Sequence, residues 1–96
     1  MKYTVYLLIA KNKHSNYISY VGYTKDLKKR LILHNSSKGA KFTRGYYWNV
    51  VYKKSFKSKS LALKEEYKLK KNYKKRSFLK KIYLSKKNEN FNITSI

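Results

Sequence analysis

Residues 20–35 read Tyr-Val-Gly-Tyr-Thr-Lys-Asp-Leu-Lys-Lys-Arg-Leu-Ile-Leu-His-Asn, and the fold depends on how they are parsed. The β-branched and aromatic start is strand-like, and Gly22 is expected to turn the chain toward a helix. Asp26 is placed to cap that helix, because its carboxylate can accept from the free amides of the first turn. At about 100° per residue, Leu27 and Leu31 mark the buried face. Arg30 and His34 flank that face one turn apart, Lys28 and Lys29 point away, and Ile32 falls on the outer side. The stretch therefore predicts a polar cluster at a strand-to-helix junction.

Upstream, residues 3–10 predict a strand buried on both faces, with Val5 and Leu7 on one side and Tyr6 and Leu8 on the other. Residues 11–16 are rich in turn formers, so this strand and residues 17–23 predict an antiparallel hairpin. His14 lies in that loop and reads as surface. Downstream, residues 36–45 form a basic loop holding two of the three glycines. Residues 46–56 predict a third strand with Trp48, Val50 and Tyr52 on one face. Ser58 or Ser60 can cap a helix over residues 61–73, in which Ala62, Leu69 and Tyr73 share one side. A third helix over residues 77–84 presents Phe78, Leu79, Ile82 and Tyr83. The order is β-β-α-β-α-α, an α+β fold in which a small three-stranded sheet is flanked by helices. Residues 1–86 form the expected single domain, and residues 87–96 a polar C-terminal tail.

Ninety-six residues leave room for one core. An apolar content of 42% argues against disorder. The absence of cysteine excludes disulfides and thiolate metal sites. The longest apolar run, residues 5–10, is too short to cross a membrane. No small-residue cleavage site follows it, so the protein is expected inside the cell, in cytoplasm or nucleus, and not secreted. The formal charge of +21 points to a polyanionic partner, with DNA the natural choice because neutralising phosphates releases counterions.

The polar side chains amount to a parts list. Phosphodiester hydrolysis needs a proton acceptor for water, donors for the developing phosphorane charge, and in most cases a divalent cation. Arg30 can supply a planar donor set, and a carboxylate is the hard-oxygen ligand magnesium prefers. Periodicity leaves Glu65 and Glu66 equally eligible for that role, and either could simply pair with a neighbouring lysine. His34, Tyr6 or Tyr20 could carry a proton, although a phenol of pKa about 10 needs nearby cations to lower it.

Thr4-Val5-Tyr6 and Tyr20-Val21-Gly22, followed by Arg30, His34 and Glu66, closely resemble the GIY-YIG nuclease superfamily. The likeness covers residues 2–84 and is sharpest at residues 22–35, 38–45 and 62–70. Those segments look like a small stand-alone branch, similar to the catalytic domain of a eukaryotic branched-DNA structure-specific nuclease subunit. The resemblance implies a central antiparallel sheet. It implies Tyr6 as general base, Tyr20 placing the water, Arg30 on the scissile phosphate and His34 assisting proton transfer. It selects Glu66, which precedes Tyr67 in Glu-Tyr-x-Leu-Lys, as ligand to Mg²⁺ or Mn²⁺. Thr4 stands where the motif's name has Gly, which leaves Tyr6 in place.

Within Lys-Gly-Ala-Lys-Phe-Thr-Arg-Gly, nearly a signature of that branch, Lys38, Lys41 and Arg44 are the candidate DNA contacts. The expected activity is a divalent-metal-dependent DNA endonuclease of low sequence specificity, with some preference for branched, nicked or flapped DNA. The alternatives are a non-catalytic basic nucleic-acid-binding protein on the same fold, or a nuclease module that takes its specificity from a protein partner.

Overall fold

The central strand explains the rest of the architecture. Strand β1 (Tyr3–Lys11) lies between β2 (Tyr17–Thr24) and β3 (Asn49–Phe56), antiparallel to both, giving the sheet order β2-β1-β3. With a partner on each edge and a layer on each face, residues 5–10 are all buried, as an uninterrupted apolar run demands. Helix α1 (Leu27–Asn35) and the short 3₁₀ turn Lys41–Thr43 cover one face. Helices α2 (Lys59–Lys71) and α3 (Tyr73–Thr94) cover the other. This is the expected β-β-α-β-α-α order. The computed structural model describes residues 2–94, with side chains as far as Lys86. Helix α3 overruns the 77–84 expected for it at both ends and takes in part of the segment expected as a polar tail, whose side chains and last two residues lie outside the described ones.

The two faces of β1 seed two cores. Val5 and Leu7 pack with Val21, Ala62 and Leu69 beneath α2, while Tyr6, Leu8 and Ala10 pack with Trp48 beneath α1. Leu27 and Leu31 join the second core, as their spacing requires, and Ile32 stays exposed. Asp26 caps α1 by accepting from the Lys29 amide at 3.0 Å, and Ser58 caps α2 by accepting from Leu61.

Several expectations are corrected. Gly22 makes no turn: it sits inside β2 opposite Tyr6, and the helix starts only at Leu27. Strand β3 begins at Asn49, not residue 46, because the Asn35 side chain claims the Trp48 backbone. The Trp48 amide donates to Asn35 Oδ1 at 2.6 Å, and Asn35 Nδ2 donates to the Trp48 carbonyl at 3.2 Å. A bulge lies opposite Leu7 and Leu8, which pair with Tyr52 and Val50. It leaves Trp48 and Val50 in the α1-side core but turns Tyr52 to the α2 side. The helix expected over 61–73 ends at Lys71. Asn72 breaks the chain there and its side chain accepts from the Lys75 amide, so Tyr73 opens α3 and is exposed. On α3, Leu79 packs against the core whereas Phe78 and Ile82 face outward.

Candidate active site

Tyr6 stands on the α1 face of β1, directly across the ladder from Gly22. A β-carbon at Gly22 would lie 2.5 Å from the Tyr6 hydroxyl oxygen and 2.7 Å from Cζ. The glycine is therefore required by space, as the floor on which the Tyr6 phenol lies. Two residues earlier on the same strand face, Tyr20 brings its ring centroid to 6.5 Å from that of Tyr6. His34, on the last turn of α1, meets both rings, at 5.9 Å from Tyr6 and edge-on at 5.2 Å from Tyr20.

Hydrogen bonds fix the protons of this cluster. The Thr43 hydroxyl lies 2.7 Å from the Ala40 carbonyl, which can only accept, so the hydroxyl proton is committed there. His34 Nδ1 lies 2.9 Å from the same oxygen and must be the donor of that pair. With the ring neutral, Nε2 carries the lone pair and accepts from the Tyr6 hydroxyl at 2.9 Å. The result is a directed chain, Tyr6 to His34 to Thr43 to Ala40. Its three side chains are 1%, 0% and 0% exposed.

Burial decides the electrostatics. Desolvation lifts Tyr6 to about 12, against a smaller downward pull from the Arg30 guanidinium. The charges of Tyr20 and Glu66 push it further upward. Burial also lowers His34, and the nearby Arg30 charge adds to that effect. The expectation that cations would bring a catalytic phenol down does not hold for Tyr6. At pH 7 the pair rests as neutral phenol and neutral imidazole.

The two acids separate cleanly. Glu66 acts on the Tyr6 hydroxyl through its charge, its side chain is 15% exposed, and its Oε1 lies 3.4 Å from Lys70 Nζ. Glu65 lines a small cavity of about 130 Å³ with Val5, Tyr52 and Phe56, in the α2-side layer, and pairs loosely with exposed Lys68 at 3.6 Å. Tyr6, Tyr20 and His34 thus meet directly, and the charges of Arg30 and Glu66 lie within electrostatic reach of the Tyr6 hydroxyl. Among the described residues no group of three or more His, Asp or Glu side chains is placed to hold a metal ion. One hard-oxygen ligand suits Mg²⁺, which keeps several waters and takes the rest of its shell from phosphate oxygens.

Lys38, Lys41 and Arg44 are exposed on the loop that follows α1. That loop also reaches the buried cluster by residues the sequence did not single out. Thr43 orients His34, Trp48 Nε1 donates to the Thr43 carbonyl at 2.9 Å, and Phe42 stacks on Tyr20 at 6.2 Å. Gly39 leaves room for the imidazole, since a β-carbon there would lie 2.5 Å from His34 Nδ1. Gly39, Phe42 and Thr43 stand inside the signature-like block and Trp48 three residues beyond it, but spacing gives no reason to choose them over the block's cations.

The family model described as the GIY-YIG catalytic domain matches residues 2–83. The chain belongs to the GIY-YIG family. A UPF0213 protein of Streptococcus pneumoniae is 38% identical over 82 residues, covering 82% of this chain and 81% of the relative. Another from Staphylococcus saprophyticus is 44% identical over 66 residues, covering 68% and 78%. A third, from Oceanobacillus iheyensis, is 50% identical over 52 residues, which is 53% of this chain and 60% of its own length. The solution NMR structure of a UPF0213 protein from Bacillus halodurans is 36% identical over 85% of both chains, with a TM-score of 0.44. Among the described residues of this GIY-YIG domain, no helix is long and apolar enough to cross a membrane.

Proposed function

We propose that this GIY-YIG domain is a divalent-metal-dependent DNA endonuclease, and that it cuts with little regard to base sequence. The observation that carries the reading is the buried Tyr6–His34–Thr43 chain: His34 accepts from the Tyr6 hydroxyl at 2.9 Å and donates to Thr43 at 2.9 Å, with the Tyr20 ring against both Tyr6 and His34. Buried titratable groups joined in this way are a frequent feature of catalytic sites.

In the proposed reaction, Arg30 holds the non-bridging oxygens of the scissile phosphate and keeps its charge throughout. Tyr20 helps to place the attacking water. Tyr6 does not need to start as a phenolate: its oxygen takes a proton from the water as its own proton passes to His34 Nε2. His34 is the net base, and Thr43 holds the ring in the receptive tautomer. Glu66 would hold Mg²⁺ or Mn²⁺, which when bound would supply Lewis-acid stabilisation of the phosphate charge. Lys70, 3.4 Å from that carboxylate and largely exposed, can turn away from it to the DNA with or without metal.

Weak base readout follows from a surface that meets DNA chiefly through lysine, since phosphate contacts orient a protein without specifying sequence. Branched, nicked and flapped DNA are the structured substrates to compare with plain duplex, and a protein partner could add target choice.

The test is plasmid cleavage by pure protein with Mg²⁺, with Mn²⁺ and with EDTA, using Arg30→Ala, Glu66→Gln and Glu65→Gln beside the wild type. Metal-dependent cutting lost in Arg30→Ala and Glu66→Gln but kept in Glu65→Gln is expected. Binding without cutting of any substrate would favour a non-catalytic DNA-binding protein, the reading that the +21 charge alone would support.

A further inference from the structure

The chain draws its cations overwhelmingly from lysine, with 22 Lys against 3 Arg. A position that keeps arginine in such a chain is one where the flat, five-donor guanidinium does something an ammonium cannot. Arg30 is in the candidate active site and Arg44 is on the exposed loop. Arg76, at the start of α3, belongs to neither.

Arg76 is fixed. Its Nε donates to the Leu69 carbonyl at 3.1 Å, near the end of α2, and Nη1 donates to Ser19 Oγ on β2 at 3.4 Å. Two of its five N–H groups are used in this way, and three remain. The guanidinium borders an open cavity of about 260 Å³ lined by Ser19, Tyr20, Val21, Phe42, Lys70 and Arg76. Among the described residues no carboxylate forms an ion pair with Arg76, although it is half-buried. A pre-oriented guanidinium with N–H groups to spare is suited to charge-assisted hydrogen bonds with an anion.

The cavity is continuous with the candidate active site at two points. Tyr20 forms its wall and also touches His34, and Lys70 reaches from it to Glu66. Its remaining wall is Phe42, 56% exposed and stacked on Tyr20 with only 20° between the ring planes. Fixed donors and a flexible ammonium thus face a flat apolar surface, which matches the alternation of phosphate and sugar along a nucleic-acid strand. A structural clamp alone would explain the bonds to Leu69 and Ser19. It would not explain a cavity with a second cation and an exposed aromatic wall.

We infer that Arg76 and Lys70 bind the phosphate next to the scissile one, with the intervening sugar against Phe42, so that the strand is held on both sides of the cut. The inference rests on the nuclease reading only for the identity of the neighbouring site, and its test needs no cleavage.

Anisotropy of a fluorescein-labelled DNA duplex, titrated in EDTA over a series of salt concentrations, would measure it in the full chain. Arg76→Ala and Lys70→Ala would be compared with Lys81→Ala, an exposed lysine elsewhere on α3, and the melting temperature of each would be recorded. Both cavity variants should bind roughly ten-fold more weakly than Lys81→Ala. Each should also lower the slope of log affinity on log salt by about one. Either variant matching Lys81→Ala in affinity and slope, with its melting temperature intact, overturns the subsite. Should Arg76→Ala prove unfolded, Lys70→Ala decides by the same criterion. A wild type that binds in this pattern yet cuts no DNA with Mg²⁺ contradicts the nuclease reading and leaves the phosphate site standing.

Discussion

The hydroxyl of Tyr6 and the Nε2 of His34 lie 2.9 Å apart, both buried, one on the central strand and one on the last turn of α1. Neither group is charged at neutral pH, since burial raises the phenol to about 12 and lowers the imidazole. A proton can be exchanged between them only when something outside supplies the drive, and a water attacking a phosphate held by Arg30 would do so.

That neutrality predicts how stability responds to acid. His34 titrates below its ordinary 6.5 when folded, so between 6.5 and the lowered value the unfolded chain binds a proton that the folded chain refuses. Stability should be fully present above 6.5 and fall as pH drops through that window, by at most about 1.4 kcal/mol per unit for the single proton. The groups facing the ring are Tyr6, Tyr20, Arg30 and Thr43, none of them an acid that would favour the imidazolium. Urea denaturation from pH 7 to pH 5 would measure the slope, which His34→Gln should flatten. The cleavage rate should lose its base on the acid side of 6.5 as well.

Thr43 offers a test of the proton assignment. Thr43→Val keeps the shape but leaves His34 Nδ1 without an acceptor in a buried site, at a cost of about 1–3 kcal/mol. Cleavage should fall roughly ten-fold or more once the tautomer is released, given what a misplaced proton acceptor costs. Thr43→Ser should restore both. The nitrogen-15 shifts of His34, read by NMR, should report protonated Nδ1 in wild type and Thr43→Ser and a mixture in Thr43→Val. Unchanged shifts in Thr43→Val would count against the assignment.

Gly22→Ala puts a methyl where the Tyr6 hydroxyl now lies, with 2.5 Å between the two. Overpacking of this kind costs about 1–3 kcal/mol, and the only relief is for the ring to slide away from His34. Thermal denaturation should show the loss, and cleavage should fall further than stability alone would require. Full activity in Gly22→Ala would mean that the Tyr6–His34 contact is dispensable.

How much of this was legible in the sequence depends on the range of the interaction involved. Residues 5–10 announce a buried central strand by composition, Asp26 announces a helix start, and Leu27 and Leu31 announce the buried side of that helix. Each of these is a local rule. Residue 46 looks like the start of β3 because its aromatic run is strand-like. What delays the strand is Asn35, thirteen residues before Trp48, holding the Trp48 backbone. The bulge that turns Tyr52 to the other face likewise arises only against β1. Gly22 carries a turn signal in any sequence reading, yet its purpose is to make room for a side chain on another strand. The ordered motif supplied the five candidate residues, and the geometry adds a reason to separate Glu66 from Glu65. The raised pKa of Tyr6 and the roles of Thr43 and Gly39 belong to burial and packing, which no spacing rule conveys.

The central claim is that the Tyr6 hydroxyl lies in the path of the proton, and Tyr6→Phe tests it by removing one oxygen from a buried ring. Cleavage of supercoiled plasmid in Mg²⁺ would be timed for the wild type and the variant, with DNA affinity and melting temperature measured alongside. The account predicts a rate about 10²–10⁴-fold lower, as for loss of a general acid–base group, with DNA affinity unchanged. A Tyr6→Phe protein that cuts at the wild-type rate would contradict it.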